Sequence, residues 1–575
     1  MYESVLRTLA GAGHDIQILA NRRDTIGSGI DPEVLLGDLP QIRWTWEELH
    51  PDAWSELAAA VRIWLDYLRY FEPRYADAPR LRMRVGEYVP PLLRRITGSP
   101  LFRTELGRRA LVAILRSVER ALPRQPALDA LMRDSRPEVV VVTPLLDIGS
   151  RQIEVLRSAR ACGVRTALAI GSWDHLSSKG RISEPPDRVL VWNETQVREA
   201  TDLHRVAADR LVVTGAQCYD HWFGRVPTRT REQFCSMLRL PVDRPFLLYA
   251  CSALYPVTPT EARFVRHWIE QIRASDDPVL QSAGILVRPH PTRMEEWGEV
   301  DLSDLPDVTV YGSLPVDESS KEDYFESLYY CSAMVGLNTS AFIEAAIVGR
   351  PVHTIVVPEF SERQEGTLHF HYLKSVGGGV FRLARSFDDH RVQLSASLRE
   401  PADASANAGF VGEFVRPFGL DRRATDIFVT ALLDLGRAPA PAPARQPLAA
   451  AALRLLLRPL AFATHAAVAR MTPADRTLLE LQRVRRKDEY RRERDAERQR
   501  RETERTAAHL EKVRRADAAR QAERQARRVR IDASEREKQA RKAAREGEKR
   551  QHSRAKRRAA MMAQIKRRLG WKQAP

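Results

Sequence analysis

Residues 334–352 have the sequence MVGLNTSAFIEAAIVGRPV, which predicts a strand, a polar turn, a helix and the start of a second strand. The triplet Asn338-Thr339-Ser340 follows the first apolar run, and these residue types cap helices by accepting free amide hydrogens. The helix is predicted to end at Gly349, because Pro351 prevents its continuation. A helix that begins just beyond a parallel strand points unpaired amides into the crevice at the strand ends. That geometry suits phosphate.

Glu344 lies about a turn and a half inside this helix, where a carboxylate can accept hydrogen bonds from a ribose diol. The spacing Glu-Ala-Ala-x-x-Gly-x-Pro after a polar turn resembles the nucleotide-binding segment of GT-B glycosyltransferases. It also resembles UDP-N-acetylglucosamine 2-epimerases and CDP-glycerol glycerophosphotransferases, which share that fold. The resemblance implies that Asn338, Thr339 and Ser340 meet the donor diphosphate and that Glu344 holds the ribose. The alternative is an ordinary helix cap in an α/β protein.

The excess positive charge of the chain lies entirely at its C-terminal end. Residues 481–575 hold 34 Lys+Arg against 15 Asp+Glu (+19), and the remaining residues hold 57 against 60 (−3). The five cysteines of the 575 residues have no metal-ligand spacing, which indicates free thiols in a reducing compartment. The front of the chain therefore has the charge balance of an ordinary soluble enzyme, and the tail is a separate electrostatic object.

Alternating strands and helices predict two Rossmann-like α/β domains, at 1–228 and 229–436. A helical insertion is predicted at about 44–131, because leucines, arginines and tryptophans recur there with helical spacing. The predicted fold class is thus α/β with two Rossmann-like domains, the GT-B arrangement, followed by a basic helical or disordered tail. The residues beyond 436 divide into an Ala/Pro linker at 437–446, an apolar segment at 447–472 and the charged tail at 473–575.

The helix–glycine–strand pattern of residues 3–20 resembles the first helix and second strand of GT-B proteins, where Gly-His-x-Val-x-x-Leu is common. The resemblance implies a first strand before it. We expect either a start set too late or a sheet without that strand, which would expose a neighbouring strand edge. The N-terminus has no signal-peptide pattern, so we expect a cytoplasmic protein.

Further candidate donor-binding residues follow other strands of the second domain. Arg288 and His290 end one strand, where a cation and an imidazole can stabilise a departing diphosphate. A similar strand-end His-Pro occurs in the CDP-glycerol transferases and 2-epimerases. Ser252 occupies the turn after the first strand, and the resemblance places Gln364 and Glu365 where GT-B enzymes hold the donor sugar.

The first domain carries a polar loop after a strand, Gly171 to Gly180. It is similar in position to the loop that carries a His-Gly and a Lys in the CDP-glycerol transferases, although the residues differ. An acceptor hydroxyl needs a base, for which we predict Asp174 or His175, with Asp147 third. Lys179 is predicted to pair with a phosphate of donor or acceptor. A structural capping loop is the alternative. The sequence lacks the Asp-x-Asp and Walker motifs, so we predict a metal-independent reaction with no cofactor besides the donor substrate, a nucleotide-sugar or CDP-alcohol.

The apolar segment has cations on one side, at Arg454, Arg458 and His465, and predicts either a helix in a membrane interface or one packed on the catalytic domains. The tail favours a solvated helix or disordered chain over a coiled coil. Near its end Met561, Met562, Ile565 and Leu569 share a face among basic residues. We therefore expect residues 447–575 to bind an anionic membrane surface, with nucleic acid as the alternative partner.

The leading hypothesis is a transferase, peripheral on the inner face of the membrane, that moves a sugar or polyol phosphate to a surface glycan or lipid-linked acceptor. The second is a nucleotide-sugar 2-epimerase-like enzyme, which has no use for a membrane tail. The third is an inactive GT-B-like scaffold whose tail binds membrane or nucleic acid.

Overall fold

The computed structural model describes residues 1–20, 36–46, 52–76, 78–253, 260–399 and 404–470, and in the tail residues 500, 511, 525, 530 and 533–568. Residues Met1–Met471 form one unit and Thr472–Pro575 a second. The first unit contains two large parallel sheets, each with its own helices, and a separate parallel pair, so the predicted α/β fold class is confirmed. The predicted domain boundaries stay a prediction.

Six parallel strands form the sheet of the second domain. They are β7 (Phe246–Ala250), β8 (Gly284–Arg288), β9 (Val308–Val310), β10 (Ala333–Gly336), β11 (Val352–Ile355) and β12 (Arg382–Ala384). Their spatial order is β12-β11-β10-β7-β8-β9. This is the doubly wound order, with its switch point between β7 and β10. Ligands of such sheets bind outside the carboxyl ends of the strands at that point.

Helices cover both faces of this sheet, and its inner strands β7, β8 and β10 are largely apolar because both of their faces are buried. The helices are α11 (Arg231–Leu238), α12 (Glu261–Arg273), α13 (Pro278–Gln281), α14 (Glu318–Tyr330), α15 (Ala341–Ile347), α16 (Leu368–Ser375) and α17 (Phe387–Arg399). Trp268 of α12 packs on Tyr249 of β7 with ring centres 5.2 Å apart. The apolar cluster to which both rings belong extends from one edge of the sheet to the other.

The first domain has a four-stranded parallel sheet and a separate parallel pair. The sheet is β3 (Val139–Val142), β4 (Arg165–Ala169), β5 (Arg188–Val191) and β6 (Leu211–Val213), and the pair is β1 (Ile16–Ala20) and β2 (Ile42–Trp46). Among the described residues β3 pairs only with β4, and Val141 is 40% exposed. One edge of β3 is therefore uncovered.

Helices on either face of the four-stranded sheet hold the first domain together. One face carries α1 (Glu3–Gly11) and α19 (Ala424–Arg437), whose Val5 and Phe428 share a core with Ala167. The other face carries α8 (Gln152–Ala161) and α10 (Glu194–His204). Since α19 follows the second domain in sequence, the chain returns to the first domain before it ends.

The helical insertion consists of α2 (Ser55–Arg69), α3 (Pro79–Gly86), α4 (Pro91–Thr97), α5 (Pro100–Arg103), α6 (Glu105–Ala121) and α7 (Pro126–Ser135). Its predicted start near residue 44 is wrong, because Ile42 and Trp44 belong to β2 and pack with Ala10 of α1. Beyond the Ala/Pro linker, α20 (Leu448–Ala469) contacts α2 and α6 of the insertion. The backbone amide of Ala444 in the linker donates to the Arg160 carbonyl at 2.9 Å.

In the tail unit, residues 533–568 form one helix whose side chains are all exposed. Arg541 pairs with Glu537 one turn earlier at 2.7 Å. The apolar residues Met561, Met562 and Ile565 of the predicted anchor lie on this helix, and Leu569 lies outside the described residues. The sequence left a solvated helix and a disordered chain as alternatives, and for residues 533–568 the structure shows the helix.

Candidate active site

The switch point of the six-stranded sheet joins the turn after β7 to the turn after β10. The backbone amide of Asn338 donates to the Ser252 hydroxyl at 3.2 Å, and the Ser252 amide donates to the Glu261 carboxyl at 2.9 Å. Ser252 is buried, as is the Oδ1 atom of Asn338, which has no hydrogen-bond partner in the described structure. A buried acceptor without a donor costs free energy, so this crevice has capacity for a further donor group.

The prediction that Asn338, Thr339 and Ser340 cap the following helix is wrong in its main point. Helix α15 has seven residues, and its N-cap Ser340 makes no side-chain capping bond. The Asn338 side chain instead donates from Nδ2 to the Arg363 carbonyl at 2.7 Å, which ties the turn to the loop beyond β11. Only Thr339 approaches a cap, since its hydroxyl accepts from the Ala341 amide at 3.4 Å.

Glu344 projects from α15 toward helix α14. Its carboxyl accepts a hydrogen bond from the Tyr324 hydroxyl. Burial raises the pKa of Glu344 to about 7, and this hydrogen bond acts against the rise. A carboxyl poised near neutrality, beside the switch point, is chemically suited to exchange hydrogen bonds with a diol.

Arg288 does not extend freely into the crevice as predicted for a phosphate ligand. Its Nη1 donates to the Ser327 hydroxyl at 2.9 Å, and its guanidinium lies 5.1 Å from the ring centre of Tyr324. Burial lowers the pKa of Arg288. Since the guanidinium is held by α14, its described contacts make it a support for Tyr324 and, through Tyr324, for Glu344.

His290 follows β8 and remains partly exposed. Its Nδ1 accepts from the backbone amide of Thr292 at 3.3 Å. In the neutral ring the proton therefore sits on Nε2, which is the nitrogen left to donate to a ligand. Burial, followed by the nearby charge of Arg293, lowers the pKa of His290 and favours this neutral form.

Gln364 and Glu365 are both engaged within the second domain. Gln364 is fully buried, and its Nε2 donates to the carbonyls of Leu337 and Ile355 at 3.0 Å each. It therefore holds together the ends of two neighbouring strands, and its predicted contact with the donor sugar stays a prediction. Glu365 pairs with Arg385 at 2.6 Å.

The polar loop of the first domain forms around Asp174, which accepts hydrogen bonds from Ser172 at 2.7 Å and Ser178 at 2.8 Å. Burial alone would raise the pKa of Asp174. The opposing effects of His369 and His175, the Ser172 hydroxyl and Lys179 hold that pKa well below its usual range. An aspartate stabilised so strongly as a carboxylate is a poor proton acceptor near neutral pH.

His175 begins the short helix α9 (His175–Ser178) beside Asp174. Burial lowers its pKa, and the carboxylates of Asp174 and Asp147 act against that shift. Its Nδ1 is buried and has no hydrogen-bond partner among the described residues. Of the three predicted bases, His175 is the one that combines a neutral ring with an unused acceptor. Asp147 is exposed and acts on that ring through its charge.

His369 of α16 is the site residue that the sequence did not single out. Its ring meets Trp173 edge-on at 4.9 Å, and its Nδ1 lies 3.5 Å from the Ser177 hydroxyl. Burial lowers the pKa of His369 to about 4. The only signal in the sequence is the pair of histidines His369 and His371, two residues apart, and the structure places both on helix α16. The second domain thus reaches the polar loop of the first.

The short 3-10 helix Gln217–Trp222, after β6, contacts α15, and its Tyr219 and Trp222 share an apolar cluster with Trp173 of the polar loop. The pKa of its buried Tyr219 is raised chiefly by burial, with smaller contributions from the charges of Glu344 and Asp174. Trp222 packs on Tyr324 with ring centres 5.5 Å apart. Since Tyr324 donates to Glu344, this part of the first domain packs against the residue that holds that carboxyl.

The described residues contain no group of three or more His, Cys, Asp or Glu side chains placed to hold a metal ion. The sequence matches no protein-family model. It also matches no curated protein.

Solved structures with a related fold were found. The UDP-GlcNAc 2-epimerase of Methanocaldococcus jannaschii in complex with UDP-GlcNAc and UDP is 12% identical, with 56% of this chain and 81% of that chain covered and a TM-score of 0.36. MnaA of S. aureus with UDP is 13% identical, with the same coverage and a TM-score of 0.35. The wall teichoic acid polymerase TagF is 14% identical, with 43% of this chain and 58% of that chain covered and a TM-score of 0.29. These TM-scores lie below 0.5. The description of the fold therefore rests on the strand order given above and not on these similarities.

Proposed function

We propose that the chain is a transferase of the GT-B class that moves a sugar, or a polyol phosphate, from a nucleotide-activated donor to a surface glycan or lipid-linked acceptor. The observation that carries the proposal is the pair of contacts that join the two domains at the predicted residues. Trp222 of the first domain packs on Tyr324, which donates to Glu344 at the switch point. His369 of the second domain meets Trp173 in the loop that holds Asp174. A donor bound at the switch point would present its reactive end to the polar loop.

Each residue has a defined role in this proposal. Glu344 accepts hydrogen bonds from the ribose, and the Ser252–Asn338 turn meets the phosphates. His290 donates from Nε2 to the leaving group, which is a nucleoside diphosphate for a nucleotide-sugar donor and a nucleoside monophosphate for a CDP-alcohol donor. His175 takes the proton of the acceptor hydroxyl, and Asp174 and Asp147 favour the imidazolium that forms. Lys179, whose charge acts on both Asp174 and His175, neutralises phosphate at the same place. These roles use no metal ion and no cofactor besides the donor.

The inactive scaffold remains a second candidate, because Arg288 and Gln364 are engaged in internal hydrogen bonds. A thermal-shift series of the full chain with UDP, CDP, GDP, ADP and dTDP separates the two. A nucleotide present at a hundred times its dissociation constant should stabilise the native protein by roughly 2.7 kcal/mol. Glu344→Ala and His290→Ala should abolish that gain, and Glu318→Ala, an exposed glutamate on α14, should retain it. No stabilisation by any nucleotide supports the scaffold.

The acceptor class and the location of the protein are part of the same proposal. The tail helix exposes Met561, Met562 and Ile565 along a strongly basic segment, which favours an anionic membrane on the cytoplasmic side. Nucleic acid is the competing partner. Sedimentation with anionic vesicles in the presence of excess duplex DNA distinguishes the two partners. DNA competes for the basic side chains, so vesicle binding should persist only if the apolar side chains contribute to it.

A further inference from the structure

Helix α20 uses one side to pack on the helical insertion. Ala461 on that side is fully buried, and the Arg454 guanidinium donates from Nε to the Ala121 carbonyl at 2.8 Å. Gln446, just before the helix, donates to the Leu122 carbonyl at 3.3 Å. The start of α20 is therefore fixed at the end of α6, within the first unit.

The opposite side of α20 is apolar and uncovered. Leu455, Leu456 and Phe462 are 69%, 78% and 48% exposed, and Leu448 and Leu460 are also exposed. Within the described residues α20 alone is long and apolar enough to cross a membrane by length and composition, and only 11% of its apolar window is buried. A helix of a globular protein normally turns its apolar stripe inward and its polar side outward. Here the outward side is apolar, which marks an interaction surface.

The helices of the insertion also expose apolar side chains. Helix α6 contacts both α2 and α20, and its outer side exposes Leu106 by 79% and Ile114 by 58%. Leu92 of α4 and Leu101 of α5 are similarly exposed. We call the exposed apolar side chains of α4, α5, α6 and α20 the insertion face. Its apolar residues come from two segments more than 300 residues apart, so α20 alone does not define it.

The charges around the insertion face have one predominant sign. Residues 79–121 contain ten arginines and three glutamates, and residues 448–469 contain two arginines and no acidic residue. Arg458 lies over the ring of Phe462 at 5.5 Å, so its charge remains at the surface beside an apolar group. Apolar side chains interspersed with arginine fit the interface of a bilayer that contains anionic lipid.

We propose that the insertion face docks the catalytic unit itself onto an anionic phospholipid bilayer, with α20 lying in the interface plane while it remains packed on α2 and α6. This goes beyond a membrane role for the basic tail, because the contact is part of the first unit. It also does not depend on the proposed transfer reaction. A catalytic unit held in this way has its acceptor, if that acceptor is lipid-linked, in the same plane.

The test is sedimentation of the full-length protein with vesicles of phosphatidylcholine mixed with phosphatidylglycerol. The variant Leu455→Ser/Leu456→Ser/Phe462→Ser changes α20, and Leu106→Ser/Ile114→Ser changes α6. Each should weaken vesicle binding on the order of tenfold or more, since each removes several apolar side chains from the interface. Val226→Ser/Val392→Ser is the matched control, because these two valines are equally exposed but lie elsewhere in the first unit, and it should bind like the wild type.

Three results would overturn the proposal. Wild-type binding by the α6 variant would show that the insertion takes no part. Retention of the protein in membranes after alkaline carbonate washing would show that α20 spans the bilayer. A lipid-free dimer in sedimentation velocity that both variants dissociate would assign the insertion face to a second copy of the chain. Nucleotide-induced thermal shifts of the same variants should equal that of the wild type, so failure of docking and failure of donor binding are distinguished.

Discussion

The Tyr324 hydroxyl donates a hydrogen bond to the Glu344 carboxyl, and this bond joins helices α14 and α15 at the carboxyl end of the second sheet. Arg288 supports the tyrosine ring from β8. The carboxyl is thus held by a neutral donor and has no cation as a hydrogen-bond partner among its described contacts. Its protonation is therefore set mainly by burial, which makes it sensitive to pH near neutrality.

Glu344→Gln should change how stability depends on pH. The folded-state pKa of about 7 lies above the ordinary value of 4.5, so between these values the native state binds more protons than the unfolded state. Glu344 therefore lowers the free energy of unfolding progressively as pH rises from about 4.5 to 7. The variant should gain on the wild type across that window, by about 2–3 kcal/mol at its upper end. Urea unfolding at several pH values measures this, and a constant difference between the proteins would contradict it.

Tyr324→Phe should alter nucleotide binding through the same carboxyl. Loss of the hydroxyl removes the hydrogen bond that opposes the upward shift, so the pKa of Glu344 should rise further. If the ionised carboxylate binds the ribose, affinity increases with pH, and the midpoint of that increase should move upward in the variant. Calorimetric titration from pH 5 to 9 gives the midpoint. Tyr311→Phe, which removes a hydroxyl bonded to Asp323, is the control and should leave the midpoint unchanged.

His175→Gln should reduce turnover of the proposed transfer by about a hundredfold or more, with little change in nucleotide affinity. Asp174→Asn should have a second effect. The Asp174 carboxylate raises the pKa of His175, so removal of its charge should lower that pKa and move the acid limb of the pH–rate profile to lower pH. Donor consumption measured by chromatography gives both. Full activity of His175→Gln would exclude the ring as the base.

Asp220→Ala should destabilise the first unit by about 3–5 kcal/mol, because it leaves a buried cation without its partner. Asp220 accepts from Arg416 at 2.6 Å and from the Thr425 amide at 2.7 Å, so it fixes the beginning of α19 on the first domain. Arg423→Ala, which breaks an exposed pair with Asp426, should cost less than about 1 kcal/mol. Chemical denaturation of both variants is the measurement, and equal losses would contradict the role of burial.

The positions of strands and the existence of two parallel domains could be predicted from local patterns. The runs at β7, β8 and β10 are continuous and apolar because parallel strands are buried on both faces. Residues 42–46 are an exception. They form a strand because they pair with β1 and because Ile42 and Trp44 pack against α1. A segment of five residues with two tryptophans fits the periodicity of a helix as well as that of a strand.

Roles within the site depended on which groups face each other. Asn338, Arg288 and Gln364 belong to residue types that bind phosphates and sugars, but each is used to join neighbouring segments. His369 is more than 190 residues from Ser177, and only the docking of the two domains brings them together. Sequence spacing reports neighbours along one element, whereas hydrogen-bond partners across a domain interface are selected by packing.

By itself the sequence determined the order of strands and helices, the Glu344 motif and the concentration of positive charge in the tail, because these depend on periodicity, turn chemistry and composition. Tertiary structure alone decided that Tyr324 sets the environment of Glu344, that His369 meets the loop at Asp174, and that α20 packs through one side while its apolar side faces outward. The physical reason is that burial and long-range contacts determine protonation, hydrogen bonding and exposure. None of these is a property of a residue apart from its neighbours.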